Sequence, residues 1–297
     1  MTSWVDVARK DFEDAVRSTV LWGITALFVA FLVMSLLSAE ELFPETVTVD
    51  TPKVLAGVAM LAQLFIPGVA LVVGYMAVAG ERHSGSLRVL LSYPFSRFDV
   101  VFGKLVGRTV ITLSALLVGF AVAAVLVGVL YDPPTVTTFV GFVATGVLLG
   151  ATFTALAIGG SAVASTRGRA MALTIGPFVG MLFFWKPVLV GIYFLVNGTL
   201  PGVVADRWYF FLKRLNPLEA YRVVTGSILD ERIEPIPNLP LEDVPATTPP
   251  EHLEIGNRVA GEVPIYLQDW VAVLVLIAWG AIPVAVGYWR FARADLG

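Results

Sequence analysis

The residues able to do chemistry are few. His83 and His252 are the only imidazoles among 297 residues, and there is no cysteine. Thiolate catalysis, a cysteine metal site and disulfides are therefore excluded. The two histidines stand in separate loops, so no HExxH zinc helix, histidine metal cluster or intramembrane Ser/His pair can be built; both read as solvent-exposed bystanders. No G-x-x-x-x-G-K-[ST] phosphate loop occurs, so the chain cannot cradle nucleotide in that way. What remains is the run from Gly80 to Lys104, which places charge and helix punctuation between two long apolar segments.

Those segments set the class. Hydrophobic residues make up 57% of the chain and charged residues 14%, with a mean hydropathy of +0.81, whereas soluble domains carry roughly a quarter charged residues. Six charge-free windows are predicted to span a membrane: Ser18 to Ala39, Val54 to Gly80, Thr109 to Tyr131, Pro133 to Thr166, Ala170 to Trp185, and Trp270 to Trp289. Every Asp and Glu lies outside them, which disfavours a carrier driven by intramembrane carboxylates. The small residues Gly141, Ala144, Thr145, Gly146, Gly150 and Ala151, with Gly159-Gly160-Ser161, predict close helix packing in the fourth window. The expected fold is an all-α polytopic membrane protein.

Orientation follows from Lys and Arg. With six spans and the N-terminus inside, the inner segments carry a net +5 and the outer ones −8, which favours cytoplasmic termini. A seventh span after Lys186-Pro187 would reverse this, so residues 187–205 are read as interfacial or re-entrant. The first apolar run is too long for a signal peptide and lacks its cleavage site. Ahead of it, Trp4, Ala8, Phe12, Ala15 and Val16 share one helical face, predicting an N-terminal interfacial helix over residues 1–17.

An outer segment, residues 206–269, precedes the last span. Asn216, Pro217 and Glu219 suggest a capped helix start. From Glu234 to Pro250, six prolines among acidic residues predict an extended, solvated connector.

The loop of residues 81–104 organises itself around punctuation. Leu87, Leu90 and Leu91 fall on one side of a short transverse helix that Ser92-Tyr93-Pro94 should stop. Ser96 and Asp99 form an [ST]-x-x-[DE] capping box that should start the next helix. Lys104 and Arg108, four apart, can anchor that helix at lipid headgroups.

Glu81-Arg82, Gly85-Ser86-Leu87, Leu90-Leu91-Ser92, Pro94, Ser96-Arg97 and Gly103-Lys104 together resemble the loop of ABC-2 type ABC transporter permeases, especially six-span subunits encoded apart from their ATPase. His83-Ser84 stand where acidic residues are common in that family. The resemblance implies a single permease domain over residues 1–297, with a coupling helix that docks on a separate ATP-binding subunit. Gly85, Ser86, Leu87, Leu90 and Leu91 would be at the contact, with Glu81, Arg82, Arg97 and Lys104 as flanking charges. It further implies ATP and Mg on the partner rather than a cofactor here, a second permease chain, a cell-membrane location and export. No nucleic-acid partner is implied. The competing class is a membrane scaffold whose loop recruits a cytoplasmic partner without transport; an ion-coupled carrier ranks below it.

Overall fold

Hydrocarbon offers a backbone N–H no water to bond, so each apolar run closes its own hydrogen bonds as a helix. The computed structural model describes residues 3–17, 19–37, 50–87, 92–93, 95–245, 247–259 and 261–294. Among them the order is α1 (Trp4–Val16), α2 (Thr19–Leu37), α3 (Thr51–Gly74), α4 (Ala79–Ser84), α5 (Arg97–Leu130) and α6 (Val136–Val163). There follow α7 (Arg167–Val179), α8 (Trp185–Asn197), α9 (Arg207–Arg214), α10 (Pro217–Leu229) and α11 (Asp269–Ala292). Among the described residues five helical stretches are long and apolar enough to cross a membrane, and the apolar α2 is shorter. Among the described residues the only β-type contacts are two isolated bridges, Gly202 with Asp243 and Ala205 with Val259.

Caps set the starts. Asp50 accepts the Lys53 amide at 3.2 Å ahead of Pro52 in α3, Thr135 accepts that of Thr138 in α6, and Thr166 that of Arg169 in α7. The core joins Phe28 and Leu32 of α2, Ile66 of α3, Leu116 and Phe120 of α5, Phe153 of α6, Tyr221 of α10 and Leu276 of α11.

The fifth span departs from the expectation. It does not end at Trp185, and residues 187–197 continue the same helix instead of forming a separate piece. α7 passes through a π-helical turn, Gly180–Phe184, straight into α8, which stops at Gly198 with φ +73°. The π turn lies between Pro177 and Pro187, where missing amides already interrupt the normal ladder. Lys186 lies within this continuous helix, and its ammonium donates to the Leu239 carbonyl at 2.7 Å.

The element that folds back into the bundle is α9–α10. Leu215, at the turn between them, accepts from Trp279 Nε1 of α11 at 2.8 Å, and Asn216 donates to the Met181 carbonyl at 2.8 Å. Thr225 and Thr145 of α6 share a buried hydroxyl hydrogen bond of 2.9 Å. α10 thus wedges against α3, α6 and α11, with Tyr221 and Thr225 fully buried. Asn216 and Pro217 start α10 as expected, but Glu219 pairs with Arg222 rather than closing a capping box.

Candidate functional site: the loop between the second and third spans

α4 ends because Gly85 turns the chain at φ +78°, a left-handed conformation that a side chain would strain. Ser84 and Ser86 hydroxyls meet at 2.9 Å, and Ser86 also reaches the Glu81 carbonyl at 3.4 Å. Leu87 turns inward. It is buried against Ala77, Val78, Val100, Val101 and Phe291, so this leucine serves the chain's own core. Arg88 to Leu91 and Pro94 lie outside the described residues, and with them the predicted helix face of Leu90 and Leu91. Ser86, Ser92 and Tyr93 are exposed, Tyr93 by 60%.

The capping box at the start of α5 is present. Ser96 Oγ accepts the Asp99 amide at 3.1 Å, and Asp99 accepts the Ser96 amide at 3.0 Å. Asp99 also accepts the Trp4 amide at 3.1 Å, so one carboxylate tends the first turns of both α1 and α5.

Lys104 does not anchor at headgroups. It is 2% exposed, and its ammonium lies 2.7 Å from Glu81 Oε1 and 3.4 Å from Asp11 Oδ1. Arg108 completes the group, 2.6 Å from Asp11 and donating to the Val73 carbonyl at 3.2 Å. Two carboxylates face two cations, so the buried charges balance. α1 consequently packs along α5, and Gly103 permits it: a Cβ there would sit 2.7 Å from the Trp4 carbonyl oxygen and from Val7 Cβ. The face of α1 that packs holds Val7, Ala8 and Asp11, while Phe12 and Val16, expected on the same stripe, are partly exposed. Asp11 and Arg108 are members that sequence reasoning missed or misplaced. The available signal was an acidic residue one turn beyond Val7 and Ala8.

Arg97 ties the loop to the far end of the chain. Its guanidinium donates to the carbonyls of Phe291, Ala292 and Ala294 at 2.7, 3.0 and 2.7 Å, satisfying the last turn of α11. Arg82 is half-buried beside Glu81, whereas His83 and His252 are exposed. The described site residues thus form a rigid frame around an exposed tip, with no nucleophile–base pair among them.

At the opposite end, Glu242 sits in the segment read as a solvated connector, yet it is largely buried. It accepts from Lys213 at 2.6 Å, Tyr209 at 2.7 Å and Arg258 at 3.2 Å. Burial alone would raise its pKa, but Lys213 and Arg258 hold the carboxyl well below the usual range. Burial and the neighbouring Glu242 push the Tyr209 phenol up.

Residues 5–296 match the ABC-2 family transporter protein family. The chain is 29% identical over 228 residues to the "Probable ABC transporter permease protein NosY" of Pseudomonas aeruginosa, covering 75% of this chain and 82% of that protein. It is 28% identical over 226 residues to the protein of the same name from Stutzerimonas stutzeri, covering 75% and 80%. The chain belongs to the ABC-2 transporter family.

Proposed function

We propose that this ABC-2 permease is the exporting membrane subunit of a transporter whose ATP is bound and hydrolysed, with Mg, on a separate subunit docked at residues 81–104. Two permease chains would enclose the path, with their termini and this loop in the cytoplasm. The observation that carries the reading is the contrast between frame and tip. Glu81 and Lys104 fasten the two ends of the loop to each other, Lys104 ties them to Asp11 of α1, and Arg97 ties the loop to α11, while Ser86, Ser92 and Tyr93 are left exposed between them. A partner pushing on such a tip would move three helices together. A scaffold needs only the tip. The frame is what favours a lever.

The test is purification of the tagged chain with its stoichiometric partners. A phosphate-loop ATPase should co-purify, and Tyr93→Asp combined with Ser86→Trp should release it while leaving the thermal midpoint of the permease unchanged. Retention of the ATPase by the double variant would rule out docking at this tip, and absence of any ATPase from the wild-type complex would rule out the transporter reading.

A further inference from the structure

α11 packs tightly against α6 but only lightly against α5. Gly287 and Gly159 bring the α11 and α6 backbones together so closely that a Cβ on Gly287 would lie 2.5 Å from the Gly159 carbonyl oxygen. α5 leans away, and an elongated groove of about 580 Å³ opens between α5 and α11 with α6 as its floor. Phe102 and Leu105 form one wall, Ala281 and Ala285 the other, and Ala151 and Ala155 keep the floor low. At its foot Phe98 meets Tyr288 edge to face at 5.8 Å.

We infer that this groove holds one acyl chain of a phospholipid from the leaflet on the loop side of the protein. Two observations select that occupant. The groove follows α11 from Leu276 to Tyr288, about 18 Å of helix, and so extends roughly half of a ~30 Å hydrocarbon core from the loop end. Its lining is hydrocarbon apart from Thr109, Thr152 and the Tyr288 phenol. The Thr152 hydroxyl already bonds the Leu148 and Leu276 carbonyls at 2.8 and 3.1 Å, which leaves little to attract a polar ligand. The volume falls within the usual ~300–1,000 Å³ range of ligand pockets.

The full chain in nanodiscs of phosphatidylethanolamine and phosphatidylglycerol, doped with phosphatidylethanolamine carrying a mid-chain diazirine, provides the test. Photolabelling mapped by mass spectrometry should be several-fold enriched on residues 101–109 and 276–285 relative to the apolar exposed face of α5 at Val118, Val125 and Val129. Ala281→Trp and, separately, Ala285→Leu should remove the enrichment by filling the groove from exposed positions, while Ile282→Phe on the neighbouring exposed surface should not. Equal labelling of the two faces, or enrichment that survives both filling variants, would leave only ordinary annular lipid and overturn the proposal. So would disulfide cross-linking of Ala281→Cys between two copies, which would show the face covered by protein.

Discussion

Lys104 donates to Glu81 across 2.7 Å, so the last residue of the loop between the second and third spans grips one of its first. Asp11 approaches the same ammonium from α1 at 3.4 Å. Removing the central cation takes this partner from the partly exposed Glu81 and leaves the buried Asp11 to Arg108. Lys104→Met should therefore cost up to about 3 kcal/mol, the low end for breaking a buried pair, read as a lowered thermal midpoint in detergent. The triple variant Lys104→Met, Glu81→Gln, Asp11→Asn should recover part of that loss. A single variant as stable as wild type would dismiss the junction as a determinant of the fold.

Arg97→Gln should free three carbonyls at the end of α11. Hydrogen bonds to charged groups are worth about 1.5–3 kcal/mol each when fully formed. The expected outcome is faster amide exchange confined to residues 288–294, with the centre of α11 at Val275 to Gly280 unchanged. Uniform exchange before and after the substitution would show that the cap contributes nothing.

At Gly85 the left-handed turn predicts a ranking. Val should cost about 1–2 kcal/mol of local stability and Asn less, since Asn visits that conformation more readily. Under the lever reading, Gly85→Val should retain the ATPase in pull-downs but lower transport per ATP hydrolysed in reconstituted vesicles. Unaltered flux per ATP would remove Gly85 from the coupling path.

Sidedness is open to direct measurement because the chain has no cysteine of its own. Ser227, Thr247 and Ser86 are all exposed. Cysteines at Ser227 and Thr247 should react with an impermeant maleimide on intact cells, and one at Ser86 should not. The opposite pattern would invert the topology.

Glu242 predicts the acid response of residues 206–269. Its carboxyl is held below the ordinary 4.5 in the folded state, so the unfolded state binds that proton first. The stabilisation is complete above about pH 4.5 and declines as pH falls toward the folded-state value. Protease resistance of residues 206–269 should fall on acidification through that window in wild type. Glu242→Gln should be less resistant at neutral pH and flatter across the same range; parallel curves would exclude this carboxylate as the cause.

Most of the spans, the capping box at Ser96 and Asp99 and the start of α10 at Asn216 were legible in the sequence, because each rests on neighbours within a few positions. Charge-free length announces a membrane helix, and a hydroxyl three residues before a carboxylate announces a cap. Three features depended on contacts between residues far apart in the chain. Lys104 and Arg108 resembled headgroup anchors until Asp11 and Glu81, supplied by other helices, buried the lysine and bound both cations. Leu87 resembled a docking residue until Phe291, two hundred positions on, covered it. The wedge of α9 and α10 was hidden because Lys213, Arg214, Glu219 and Arg222 exclude it from any charge-free window. Tertiary structure neutralises those charges with Glu242, Asp269 and each other. Local pattern fixes where helices begin and end; whether a charge faces water or a partner is decided only when distant segments meet, since the cost of burying it depends on what it meets.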